Sequence, residues 1–95
     1  MPLLRVQTNR EVPIEQQQIL LAELTELVAR ELAKPRQYVQ VVLEAGVPMA
    51  FAGTTEPTAV GELASLGLPD DAPARLSARL AEVLHQRLEV PPDRL

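Results

Sequence analysis

The sequence predicts an α+β fold built from two β-α-β repeats, the second without its closing strand. Three observations predict it. Two stretches, at about 14–33 and 72–88, space their apolar residues as helices do, and short β-type stretches flank them. The halves also match each other. With Leu20 laid on Leu76, Leu24 meets Leu80, Glu26 meets Glu82, Leu27 meets Val83, Val28 meets Leu84, Leu32 meets Leu88 and Pro35 meets Pro91, while residues 2–9 fall on 58–65. Third, 95 residues of 46% apolar and only 2% aromatic composition suit one small domain with a core of Leu, Val and Ala. The repeats run over about 1–46 and 58–95.

Each element has its own signal. "PLLRVQTN" (2–9) alternates apolar and polar residues and reads as a strand; "REVPIE" turns the chain. From Ile14 to Ala33 the apolar residues fall at 20, 21, 24, 27, 28 and 32, one broad stripe, and Pro35 stops the helix. "YVQVVLEAG" (38–46) is rich in β-branched residues and reads as the second strand. Two prolines and two glycines make 46–58 mostly loop, with a short strand expected at 49–52. "AVGELASLG" (59–67) reads as the third main strand. Asp71 is placed to cap the second helix and Pro73 suits its first turn, so the pair Asp70–Asp71 reads as capping rather than metal ligation. The helix continues to Leu88 with its stripe at 76, 80, 83, 84 and 88.

By the logic of the repeat, a strand should follow the second helix and begin at residue 95, where the sequence stops. A β-α-β unit needs both parallel strands to cover its helix. Either a partner chain fills that place or this is a shortened form of a longer fold.

Composition excludes several classes. A net charge of −4 argues against a general nucleic-acid binder, which needs a basic face. Without cysteine there is no disulfide or thiol chemistry, and with one histidine a structural zinc site is not expected. No stretch has the length of a membrane span, and arginines at 5 and 10 with no apolar run behind them do not make a signal peptide. The expectation is a cytoplasmic protein with no membrane, metal or nucleic-acid partner. His85, beside the core positions 84 and 88, is expected at the surface and outside any chemistry.

Pro2 stands apart. It suits the edge of a strand, but removal of Met1 would turn its nitrogen into a secondary amine. The stretches "MPLLRVQTN", "ELAKPRQYVQV", "PMAFAGTTEP", "ASLG" and "LEVPPDRL", in this order and across the whole chain, resemble the macrophage migration inhibitory factor family of the tautomerase superfamily. The resemblance implies a homotrimer with sheets around a central channel, active sites between protomers, and cofactor-free keto–enol tautomerisation of phenylpyruvate-like or dopachrome-like compounds.

It also assigns roles. Pro2 would be the general base, its charged form disfavoured by apolar surroundings and a nearby cation. Lys34 would hold the carboxylate of an α-keto acid, although a lysine after a helix also answers the helix dipole. Ser65 and Leu66 would close the site through the Leu66 N–H, and Leu3 would give it an apolar wall. Arg36 reads as a solvated cation at the rim, and Tyr38 as a packing or hydrogen-bonding residue. The family's cysteine pair falls on Thr58 and Gly61, so thiol–disulfide activity is not implied. Its pocket tyrosine and asparagine have no counterpart in these 95 residues, which makes a noncatalytic binding or signalling member of the same fold the alternative.

Overall fold

The computed structural model describes residues 2–64 and 72–95, the side chains of Ala72 and Pro73 excepted. The elements run β1 (Leu3–Thr8), α1 (Ile14–Leu32), β2 (Gln40–Glu44), β3 (Ala59–Ala64) and α2 (Ala72–Leu88), with single 3-10 turns at Arg36–Tyr38 and Pro92–Arg94. The three strands form one mixed sheet in the order β2-β1-β3. β1 pairs with β2 in parallel, Leu3 opposite Gln40 through Gln7 opposite Glu44. It pairs with β3 antiparallel, Leu3 opposite Ala64 through Thr8 opposite Ala59. The first β-α-β crossover is therefore present as expected. Among the described residues the outer edge of β3 carries no strand.

Strand period decides which residues meet the helices. Leu4, Val6 and Thr8 of β1 are fully buried, and their cross-strand neighbours Val41, Leu43, Ala59 and Leu63 share that face. α1 lays Leu20, Leu24, Leu27, Val28 and Leu32 on it, the stripe read from the sequence. α2 contributes Leu76, Leu84 and Leu88. The helices lie antiparallel, tied by Arg87 to Glu23 at 2.9 Å and Arg75 to Glu31 at 3.1 Å. The hydrogen bond from Arg87 holds the Glu23 carboxyl below its ordinary pKa. At Gly61 an added Cβ would come within 2.9 Å of the Leu80 Cδ2, so glycine lets α2 settle on β3.

Several boundaries differ from the sequence reading. β2 begins at Gln40 rather than 38, because residues 36–38 close a 3-10 turn in which the Tyr38 N–H donates to the Pro35 carbonyl at 3.0 Å. The strand expected at 49–52 is a tight turn instead. Phe51 and Thr54 exchange backbone hydrogen bonds at 2.9 and 3.1 Å across Ala52 and Gly53, whose φ angles of 52° and 79° make a type I′ turn. β3 is described to Ala64, and the expected capping by Asp71 lies outside the described residues. His85 is exposed as expected, its Nδ1 2.8 Å from the Val90 carbonyl.

α1 ends in a left-handed residue that is not glycine. Ala33 has φ 52° and ψ 45°, and its N–H and that of Lys34 close back on the last turn. A Cβ in that conformation costs about 1–2 kcal/mol, offset in part by the freedom glycine adds to the unfolded chain. Ala33→Gly is therefore expected to stabilise the protein by roughly 0.5–1 kcal/mol. Urea denaturation checks it, and an unchanged or lower midpoint would contradict this account of the cap.

The loop before β3 is held by one side chain that the sequence did not single out. Arg94 donates through Nε to the Pro57 carbonyl at 2.9 Å and through its terminal nitrogens to the carbonyls of Phe51, Thr54 and Glu56 at 3.0–3.3 Å. Its guanidinium lies 5.4 Å from the centre of the Phe51 ring. Asn9 and Thr58 complete the knot: the Asn9 Oδ1 accepts from the Thr58 N–H at 2.9 Å, and the Thr58 hydroxyl donates to the Arg94 carbonyl at 2.6 Å. A planar five-donor group suits four carbonyls, and lysine does not replace it. Arg94→Ala is expected to cost about 1–3 kcal/mol and to open the 51–58 loop to proteolysis, with Arg94→Lys recovering little. Limited proteolysis with mapped cleavage sites reads this directly.

Candidate active site

The right end of the sheet for a site is the one where β1 starts. Pro2 precedes Leu3 there, its ring fully buried and its carbonyl accepting the Gln40 N–H at 3.0 Å. A proline has no N–H to offer a neighbouring strand, so the first position of a strand is where a sheet tolerates it. Leu3, half-buried, points to the opposite face, between Gln40 on one side and Ala64 on the other.

α1 runs back along β1 and so delivers its C-terminus to this same end. The left-handed Ala33 turns the chain there, and Lys34 follows, its N–H bonded to the Ala29 carbonyl at 3.0 Å. Its side chain is exposed, and its ammonium has no ion-pair partner among the described residues. The structure thus brings Pro2, Leu3 and Lys34 to one end of the molecule. Ser65 and Leu66 lie outside the described residues; Ala64, the residue before them, is in register with Leu3.

Arg36 is solvated as expected, its side chain 74% exposed, and it also pairs with Glu26 at 2.5 Å. Tyr38 is 54% exposed, and its phenol makes no hydrogen bond with a described residue. Rather than packing, it stands free near the start of β2, at the Pro2 end. The signal was present in the sequence as the only tyrosine, four residues after Lys34. Helical and strand periods did not reveal it because it sits in a 3-10 turn, which has neither. No group of three or more acidic, histidine or cysteine side chains among the described residues could hold a metal. No helix among them is long and apolar enough to cross a membrane.

A buried proline and a lysine without an ion pair among the described residues thus stand at the same end of the central strand; with Met1 removed, such groups can move a proton and hold an anion. The family model for macrophage migration inhibitory factor matches residues 1–95. The chain is 37% identical over 99 residues to macrophage migration inhibitory factor of Rattus norvegicus, an alignment covering all of this chain and 83% of that protein. It is 34% identical over 98 residues to D-dopachrome decarboxylase of Gallus gallus, covering all of this chain and 81% of that protein. Among solved structures, the macrophage migration inhibitory factor homologue of Prochlorococcus marinus superposes with a TM-score of 0.89 at 35% identity, over 97% of this chain and 81% of the other. In sequence and in fold, this chain belongs to the macrophage migration inhibitory factor family.

Proposed function

We propose that this protein is a cofactor-independent keto–enol tautomerase of small α-keto acids and related carbonyl compounds, phenylpyruvate-like or dopachrome-like. It acts as a homotrimer in the cytoplasm, each chain one domain of two repeats. The observation that carries the proposal is the placement of Pro2, fully buried at the end of the central strand, at the same end as Lys34, whose ammonium has no ion-pair partner among the described residues. The similarity to a D-dopachrome decarboxylase supports the substrate class.

The chemistry follows from those groups. Once Met1 is removed, the Pro2 nitrogen carries a lone pair, and apolar surroundings disfavour its protonated form. The nitrogen takes a proton from the carbon beside the carbonyl, and the C–H electron pair moves to form the enolate. The same proton is returned to the oxygen to give the enol, so nothing is oxidised or reduced. Lys34 holds the carboxylate and fixes the reacting carbon near Pro2. Leu3 supplies apolar wall, and the Leu66 N–H, beside Ser65, is assigned to the developing oxyanion. Tyr38 is free to line the same end.

Phenylpyruvate enolisation tests the reading, on a sample whose intact mass shows loss of Met1 and whose light scattering gives a trimer. Lys34→Ala is expected to raise KM about tenfold with a smaller change in kcat, the pattern of lost ground-state binding, and Lys34→Arg to recover part of it. An unchanged KM removes Lys34 from this role. A processed trimer with no enolisation would instead establish the noncatalytic member of the family.

A further inference from the structure

We propose that the site at Pro2 extends along β1 into a second compartment, where Arg5 and Glu62 select arylpyruvates whose far end carries a primary carboxamide. This rests on the tautomerase reading above and narrows its substrate class.

Leu3, assigned above as the apolar wall of the site, also borders a cleft. That cleft, of about 190 Å³, is lined by Leu3, Arg5, Glu62, Leu63 and Ala64. It begins at the Pro2 end, where Leu3 stands opposite Ala64, and runs along the strands to Arg5, which stands opposite Glu62. Leu3 and Arg5 are two residues apart and so share one face of the sheet. Three residues of strand rise separate Arg5 from Pro2, about 10 Å along the backbone. A carbonyl compound with its reacting carbon at Pro2 therefore lays an aromatic ring along Leu3. The far end of that ring arrives between Arg5 and Glu62.

The two charges set the chemistry of what binds there. Both side chains are exposed, and neither takes part in an ion pair among the described residues. Arg75, Arg79 and Arg87, by contrast, each meet a glutamate. Side chains directly opposite on antiparallel strands start about 5 Å apart, so a guanidinium and a carboxylate reach one ligand group together. Arginine only donates and an ionised glutamate only accepts. A primary carboxamide answers both while staying neutral: its oxygen accepts from Arg5 and its NH2 donates to Glu62. A carboxylate in that place gains from Arg5 and is repelled by Glu62. An alkyl group displaces water from both side chains and returns no hydrogen bond.

Enolisation kinetics with three probes of one shape test this: 4-carbamoyl-, 4-carboxy- and 4-isopropylphenylpyruvate, with phenylpyruvate as reference. The proteins are the unchanged chain, Arg5→Leu and Glu62→Lys. For the unchanged chain the carbamoyl compound is expected to have a KM about tenfold below the isopropyl one and about threefold below the carboxy one. Arg5→Leu should reduce the carbamoyl advantage over isopropyl to within about twofold. Glu62→Lys should invert the order of amide and acid, because both walls then carry positive charge. Circular dichroism confirms that each variant folds, and if one does not, the other decides, since each has its own expected change. Turnover of phenylpyruvate with no preference among the three probes overturns the subsite and leaves the tautomerase reading standing. A preference that the folded variants do not alter does the same. A processed chain that enolises none of the four removes both.

Discussion

A chain with one alanine inserted between Met1 and Pro2 is expected to enolise phenylpyruvate about 10²- to 10⁴-fold more slowly than the processed parent, the range a positioned general base contributes. The insertion keeps the proline ring, its burial and the Gln40 N–H bond to its carbonyl. It also leaves the register of β1 untouched, since β1 starts at Leu3. What changes is the nitrogen. In a tertiary amide its lone pair is delocalised into the carbonyl, and no base remains. Pro2→Gly is the milder companion: it retains an amine, but a primary and more mobile one, and is expected to lose less. Melting temperature and trimer content should match the parent in the inserted chain, and mass spectrometry should confirm the new terminus. Equal rates for inserted and parent chains would end the case for Pro2, whatever the fate of Lys34.

Leu24→Ala is expected to destabilise the protein by about 2–5 kcal/mol, the range for truncating a fully buried leucine. Leu24 is 0% exposed, at the middle of the α1 stripe over β1 and β2. At roughly 0.05–0.15 kcal/mol per residue, a chain of this size has about 5–14 kcal/mol in all. The loss corresponds to a fall in Tm of about 8–40 °C, at roughly 4–8 °C per kcal/mol. Thermal unfolding followed by circular dichroism measures it. Two further variants make the test specific. Ile19→Ala, at a side chain 47% exposed, should stay within about 0.5 kcal/mol of the parent. Leu80→Ala, at the repeat counterpart of Leu24, should cost clearly less, because Leu80 is only half-buried where it meets Gly61 on the edge strand β3. Equal losses at 24 and 80 would mean that α2 is covered as fully as α1.

Leu24 and Leu80 show where the sequence stops being informative. The repeat makes them equivalent, and as helix positions they are. Burial is another matter: α1 lies over a central strand with a neighbour on each side, while α2 lies over β3, whose outer edge carries no strand among the described residues. A similar divide runs through the candidate site. Pro2 and Lys34 could be named from the residues because the family motif holds them and because a parallel β-α-β crossover returns a helix C-terminus to the start of its strand. Tyr38 occupies the same motif and stands exposed where packing or a hydrogen bond was expected, while Arg36, solvated as expected, also pairs with Glu26. Whether a long side chain folds back onto Glu26 or stands free is decided by what surrounds it, not by its place in the motif.

By itself, then, the sequence determined the two helices, the three strands that the structure also shows, the apolar stripes, and the family. These depend on spacing between near neighbours in the chain, which 3.6- and 2-residue periods express directly. The tertiary structure alone decided that Arg94 gathers carbonyls from residues 37–43 positions earlier along the chain. It also decided that Asn9 and Thr58 lock the same loop, that residues 51–54 turn rather than extend, and that Arg5 stands opposite Glu62. Contacts between residues so far apart arise only when packing fixes where each segment runs, and no local period encodes them.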